Sequence, residues 1–294
     1  MVSAITERWQ HQLELAGPAA VTVGVMGDPV THSLSPRLHM AAFDALGIDG
    51  RSLPFTVGYA DAPDAVTAMR TLGFRGLSVT MPLKETVMVL ADAVSDTAAR
   101  LAATNCLVNH DGHLSAHSTD GDGFVRSLRE EFAWDPSGKR VVVVGAGGAA
   151  RAVIEAVGRA DAAEVVVLNR SPERARVAVA VGGPHARVGT DDDLVAADLV
   201  VNATPVGMAQ QPGLPTPVRD FRAGQMVVDL IYQPLTTEWV RAATEAKAIV
   251  TNGVPMLLHQ AALQIELWTG LPAPVEAMRA AVVDSLTLPE GAQD

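Results

Sequence analysis

The sequence predicts an α/β fold made of two successive α/β domains, and three observations carry that reading. Apolar, β-branched runs such as "AVTVGVMG" (20–27) and "RVVVVG" (140–145) alternate with helix-patterned segments. Strands and helices alternating at this spacing imply largely parallel sheets. A glycine turn, "GAGGAA" (145–150), sits between a four-valine strand and a helix and opens a second α/β unit. The length of 294 residues, with 48% hydrophobic content, suits one large domain or two modest ones.

Taken in order, residues 1–17 read as a helical lead-in and 20–27 as a buried strand ending at Gly27. "SPRLHMAAFDALGI" (35–48) reads as a helix with Ser35 as N-cap and Pro36 at its first position. "RSLPFTVG" is a weak strand, "ADAPDAVTAMRTLG" a helix stopped by Gly73, "FRGLSVTM" the next strand and "KETVMVLADAV" (84–94) the next helix. "TNCLVNHDGHLSAHSTD" alternates as a hairpin does and turns at Asp111-Gly112. "DGFVRSLREEFAW" is a helix, and the boundary falls near 121–125 by pattern alone. In the second unit "RVVVV", "EVVVLNR", "DLVVNATPVGM" and "MVVDLIY" are strands. After "IVTNG" come a long apolar helix, "VPMLLHQAALQIELWTG", and a last one, "PVEAMRAAVVDSL".

A net charge of −11 argues against a nucleic-acid partner, which would show as clustered basic residues. Local charge still decides anion binding. Cys106 is the only cysteine, so no disulfide framework or cysteine metal site forms within one chain, as expected in a reducing compartment. The N-terminus lacks a secretory h-region, and no apolar run approaches spanning length. A cytoplasmic protein without a membrane or nucleic-acid partner is expected. No His/Cys/Asp set has metal-ligand spacing, and no G-x-S-x-G elbow is present.

The glycine turn has G-x-G-x-x-A spacing: Gly145 permits the tight turn, Gly147 lets backbone approach a pyrophosphate, and Ala150 allows close helix–strand packing. The next strand ends at Asn169-Arg170-Ser171, where an NAD site would usually place Asp or Glu on the ribose 2′-OH. Arg170, with Arg174 a turn further on, suits a phosphate dianion and points to NADP.

The first half sets small polar groups at strand and helix ends: Ser33, Ser35, Thr80, Lys84, Asn105 and Asp120. They suit a small, polyhydroxylated anionic ligand. Lys84, Lys139 and Lys247 are the only lysines among 22 basic residues. A desolvated ammonium can trade a proton near neutral pH, and a guanidinium cannot, so a lysine at the mouth of a buried strand points to proton transfer.

"GDPVTHSLSPRLH", "GLSVTMPLK", "ATNCLV", "STDGDGF", "VVGAGGAARAV", "LNRSPERA", "VNATPVGM", "DLIYQPLTT" and "GVPMLLHQAALQIELWTG", in this order from Gly27 to Gly270, resemble the shikimate dehydrogenase family. The resemblance implies a substrate domain over 1–122, completed by 252–294, and a Rossmann NADP domain over 123–251. It implies reversible reduction of 3-dehydroshikimate to shikimate in aromatic amino-acid biosynthesis.

By motif, Ser33 and Ser35 match serines that hold the substrate carboxylate, assisted by Thr80. Lys84 and Asp120 match the catalytic pair. Asn105 and Gln260 match groups on ring hydroxyls, and Tyr232 a tyrosine lining the site. The cofactor set is Gly145, Ala146, Gly147, Gly148, Ala149, Asn169, Arg170, Ser171, Arg174, Thr204 and Gly253. Ser78, Ser118 and Met40 stand where asparagine is common in the family, which leaves a quinate or aminoshikimate paralogue open. A non-catalytic NADP-sensing protein is the reading from another class. Gln260 also reads as a satisfied core amide, Cys106 as packed, and His32, His39 and His259 as structural. The oligomeric expectation is monomer or homodimer.

Overall fold

The computed structural model describes residues 3–217 and 221–287, with side chains to 282. The chain divides into two compact units, one of residues up to Thr119 together with those from Ala261 onward, the other of Asp120–Gln260.

The first unit is a six-stranded mixed sheet. Its strands are β1 (Val21–Gly27), β2 (Gly50–Thr56), β3 (Gly76–Val79), β4 (Ala93–Val94), β5 (Cys106–His110) and β6 (His113–His117), in the spatial order β2-β1-β3-β5-β6-β4. β1 runs parallel to β2 and β3, whereas β5 is antiparallel to both β3 and β6. The expected largely parallel arrangement holds only for part of this sheet, because β5 enters antiparallel to β3 and the hairpin at Asp111-Gly112 then reverses the chain into β6. Both turn residues have positive φ, 52° and 89°, as a two-residue hairpin requires.

The unit's helices are α1 (Ala4–Ala16), α2 (Ser35–Leu46), α3 (Ala62–Thr71), α4 (Lys84–Met88) and α5 (Asp96–Leu101). Trp9 of α1 is fully buried, its ring 4.2 Å from Phe55 and 5.5 Å from Phe74, and this aromatic group anchors one face of the sheet.

Two local expectations fail here. Ser35 does not cap α2. Leu34 is already right-handed helical (φ −80°, ψ −11°), so the helical turn begins one residue earlier, and the side chain of Ser33 accepts from the Ser35 N–H at 3.3 Å. Pro36, now the second helical residue, has no N–H for a cap to satisfy. The helix expected over 84–94 stops at Met88. Asp92 exchanges hydrogen bonds with Leu114 and meets Arg70 at 2.7 Å, and β4 then pairs with β6, so tertiary pairing overrides helix propensity.

The second unit is a six-stranded, wholly parallel sheet. Its strands are β7 (Arg140–Val144), β8 (Glu164–Leu168), β9 (Ala186–Val188), β10 (Leu199–Asn202), β11 (Met226–Asp229) and β12 (Ile249–Thr251), ordered β12-β11-β10-β7-β8-β9. This is the doubly wound order, with the switch point between β7 and β10. Its helices are α6 (Asp120–Phe132), α7 (Gly148–Arg159), α8 (Pro172–Val179) and α9 (Glu238–Glu245).

The valine run of β7 is continuous because both faces are covered. Val141 and Val143 pack with Phe124, Leu128, Ile154 and Val157, and Val142 and Val144 pack with Leu194, Trp239 and Ala243. Helix α10 (Val254–Thr269) begins in the second unit and ends in the first, where α11 (Val275–Thr287) follows.

Candidate active site

In the first unit, four chain segments reach one edge of the sheet. The segment after β1 carries Ser33 and, at the start of α2, Ser35, and the segment after its parallel neighbour β3 carries Thr80 and, at the start of α4, Lys84. Asn105 lies just before β5, which is antiparallel to β3, so it arrives at the same edge. Ser118 and Thr119 follow β6, antiparallel to β5, and arrive there too.

Thr80 donates its N–H to Met26 at 3.0 Å, and a Cβ at Gly27 would fall 2.4 Å from the Thr80 methyl. Gly27 is therefore needed for that approach. Lys84 opens α4 and is half-buried. Asn105 is 2% exposed. Its Nδ2 donates to Thr119 Oγ1 at 2.9 Å, and its Oδ1 accepts the Thr119 N–H at 2.7 Å. Ser78 and Ser118 are both buried.

Behind this edge, His39 of α2 is sealed in the core, 2.9 Å from Ser52 Oγ and edge-on to Trp268 at 4.9 Å. Burial drives its imidazole down to about 3, against a smaller raising effect of its hydrogen bond with Gln264. Cys106 is buried, and His32 is exposed.

In the second unit the cofactor candidates follow the C-terminal ends of parallel strands, where ligands of doubly wound sheets bind. Gly145 has φ 121°, and its Cβ would lie 2.8 Å from the Ala203 carbonyl, so only glycine fits. Ala146 follows it in the turn. At Gly147 and Gly148 an added Cβ would meet nothing within 4 Å. Gly148 and Ala149 open α7, so the helix N-terminus faces open space and its N–H groups can receive a pyrophosphate.

After β8, Asn169 Nδ2 donates to the Ser171 carbonyl at 3.0 Å, and Ser171 caps α8 by accepting from the Arg174 N–H at 3.3 Å. Arg170 and Arg174 are both exposed. With no acidic residue in Asn169-Arg170-Ser171, the donor set fits a 2′-phosphate.

Thr204 follows β10 and gives both its N–H (3.0 Å) and hydroxyl (2.7 Å) to Asn202 Oδ1. Asn202 in turn donates to Asp229 at 2.9 Å, and Thr237 donates to the other Asp229 oxygen at 2.7 Å. Burial pushes the Asp229 carboxyl up, partly offset by these donors. Burial likewise raises the Tyr232 phenol. Gly253 lies against the Leu230 carbonyl, where a Cβ would fall 2.1 Å away.

Asp120 is the first residue of α6, directly after Thr119. Gln260, on α10, is 7% exposed and donates to the Leu257 carbonyl at 2.8 Å. His259 is buried and pairs with Glu131 at 2.8 Å. Among the described residues, no group of three or more His, Cys, Asp or Glu could hold a metal ion. No helix among them is long and apolar enough to cross a membrane.

The sequence reading missed Thr104, Thr119, Gln264 and the Asn202–Asp229–Thr237 network. The available signal was a polar residue closing an otherwise apolar strand, as in "VVN" and "VVD".

Comparison with known proteins agrees with this arrangement. Family models match residues 25–107 (shikimate dehydrogenase substrate binding domain), 127–207 (shikimate/quinate 5-dehydrogenase) and 253–283 (shikimate 5′-dehydrogenase C-terminal domain). The shikimate dehydrogenase (NADP(+)) of Moorella thermoacetica is 45% identical over 87% of this chain and 90% of its own length. The chain belongs to the shikimate dehydrogenase family. Within that family, the solved Thermus thermophilus shikimate 5-dehydrogenase in complex with NADP(H) and shikimate is 36% identical. It superposes with TM-score 0.85 over 90% of this chain and 100% of that one. The Corynebacterium glutamicum quinate dehydrogenase in complex with NAD is 32% identical, with TM-score 0.84 over 90% and 99%.

Proposed function

We infer that this chain is an NADP-dependent shikimate dehydrogenase that reversibly reduces 3-dehydroshikimate to shikimate in aromatic amino-acid biosynthesis. The observation that carries the residue-level reading is the convergence of Ser33, Ser35, Thr80, Lys84 and Asn105 on one sheet edge of the first unit. Substrate binding is assigned to residues 1–122 with 252–294, and cofactor binding to 123–251.

Ser33 and Ser35 hold the substrate carboxylate by hydroxyl donation, helped by Thr80. Asn105 and Gln260 bind ring hydroxyls, and Tyr232 lines the site. Lys84 delivers a proton to the carbonyl oxygen during reduction and takes it back from the hydroxyl during oxidation. Asp120 accepts from that hydroxyl and orients the ammonium. Gly145, Ala146, Gly147, Gly148 and Ala149 receive the pyrophosphate, Asn169, Arg170, Ser171 and Arg174 the adenosine 2′-phosphate, and Thr204 and Gly253 shape the segments beside the nicotinamide. NADPH, when bound, supplies the hydride.

The buried Ser78 and Ser118 favour a second reading, in which the pocket also admits quinate. Shikimate remains the preferred substrate, because water can fill a polar gap left by a short side chain. A cytoplasmic location and a monomer or homodimer complete the proposal. The test is NADPH formation with shikimate or quinate as sole substrate. A higher kcat/KM for shikimate is expected. Equal or better turnover of quinate moves the chain to the paralogue reading, and no turnover of either leaves an NADP-sensing protein.

A further inference from the structure

The hairpin ladder of the first unit stops at Cys106 on β5 and His117 on β6, yet the chain stays tightly bonded beyond it. Thr104 and Asn105 precede β5, and Thr119 follows β6 by two residues. All three are buried, with 0%, 2% and 3% exposure. The Thr104 N–H donates to the Lys84 carbonyl at 3.0 Å, and its hydroxyl donates to the carbonyls of His117 at 2.6 Å and Cys106 at 2.9 Å. The next residue, Asn105, donates its N–H to His117 at 3.0 Å and accepts the Val79 N–H at 2.8 Å on its carbonyl. Gln264 Nε2 adds a bond to the same carbonyl at 3.2 Å. The Asn105 side chain then grips Thr119 at both backbone N–H and hydroxyl.

Two adjacent residues thus hold two distant chain segments: Thr104 ties the backbone of Lys84, and Asn105 ties Thr119, which is covalently joined to Asp120. A hairpin end needs only its last ladder bond to close. A buried side-chain clasp on a backbone N–H and a hydroxyl fixes where the next residue leaves the sheet.

We propose that Thr104 and Asn105 form a yoke setting the backbones of Lys84 and Asp120, and that Thr119 is a positioning residue for the Asp120 carboxylate. The inference rests on the catalytic roles given above to Lys84 and Asp120. Loss of the Thr119 hydroxyl removes its contacts with Asn105 Nδ2 (2.9 Å) and Oδ1 (3.2 Å) and leaves only the backbone N–H bond of the clasp, while valine keeps the branched shape. A misplacement of the order of 1 Å at a reacting group can cost about 10²-fold in rate.

The test is a double-mutant cycle on the full chain, with T119V, T119S, D120N and T119V/D120N compared for kcat, both Michaelis constants and thermal midpoint. T119V should lower kcat by at least about ten-fold while the Michaelis constant for shikimate moves less than about three-fold. T119S, which keeps the hydroxyl, should restore most of the rate. In the D120N background T119V should cost nothing further, because its effect passes through the carboxylate. A T119V enzyme with near wild-type kcat, or rate losses that multiply in the double variant, overturns the proposal. Should T119V not fold, T119A in the same cycle is read by the same rule. A fully active D120N overturns the catalytic assignment itself and the inference with it. An impaired D120N with multiplying losses overturns the inference alone.

Discussion

The two units use the same vocabulary of strand, loop and helix, but they present chemistry differently. The second is a pure parallel sheet whose recognition surface is mainly backbone: glycines with empty space beside them at the start of α7. The first is a mixed sheet whose proposed surface is side chains, at a sheet end where buried Thr104 and Asn105 bond the Lys84 carbonyl and Thr119. A phosphate presents the same oxygens in every dinucleotide, so N–H groups at a helix end suffice. A small hydroxylated ring differs from its relatives at single atoms, and discriminating them takes individually placed donors and acceptors.

The largest expected effect tests the side-chain half of that contrast. Lys84→Ala should lower turnover by about 10²–10⁴-fold with NADP affinity near wild type, and Lys84→Arg should not rescue it. Steady-state kinetics with direct cofactor titration reads both. Retention of more than half the activity in Lys84→Ala would remove proton transfer from this residue.

The contrast extends to pH. In the first unit His39 is held neutral, with its folded value near 3 against 6.5 for the free group. Its contribution to stability is therefore complete above pH 6.5 and drains away as pH falls toward 3. The loss is at most about 1.4 kcal/mol per pH unit from this group alone. In the second unit Asp229 is shifted upward from 3.8, so its contribution is complete below that value and is lost as pH rises through the folded one. Hydrogen exchange followed separately in β1–β3 and in β7–β11 should show the first unit loosening first on acidification. His39→Gln should flatten that response, and an identical slope in wild type and variant would exclude His39 as its source.

The smallest effect concerns a side chain that the second unit adds to its backbone surface. Arg170→Ala should erase most of the preference for NADP over NAD, roughly ten- to a hundred-fold for one charge-assisted contact, and leave NAD turnover unchanged. Wild-type enzyme that uses both cofactors equally would make Arg170 a surface residue.

What the sequence made legible follows the same division. "VVVVGAGGAA" announced the strand, turn and helix of the cofactor unit because every part of that signal is local. Asp111-Gly112 announced its hairpin for the same reason. The helix over 84–94 failed because Asp92 is claimed by Leu114 and Arg70, contacts no window of sequence contains. Ser35 is no cap because Leu34 already has helical dihedrals, which makes Ser35 the first helical residue, and that early turn has no local sequence signal. Motif resemblance supplied the side chains proposed to face the substrate. It did not supply what holds them, since Thr104 meets Lys84, and Asn202 meets Asp229, only through topology.

Trp268, near the end of α10, has its indole 1.9 Å from where a Cβ of Gly76 would stand, and donates to the Leu107 carbonyl at 3.0 Å. The middle strands of the first sheet are thus finished by a residue made almost two hundred positions later. During synthesis the inserted unit, Asp120–Gln260, can emerge and close as one piece before its elder does. The earliest-born strands must wait, with the groove at Gly76 exposed, until α10 clears the ribosome. A nascent chain exposed through Gln260 but not yet through Trp268 would hold the whole second unit together with a first sheet still open at Gly76.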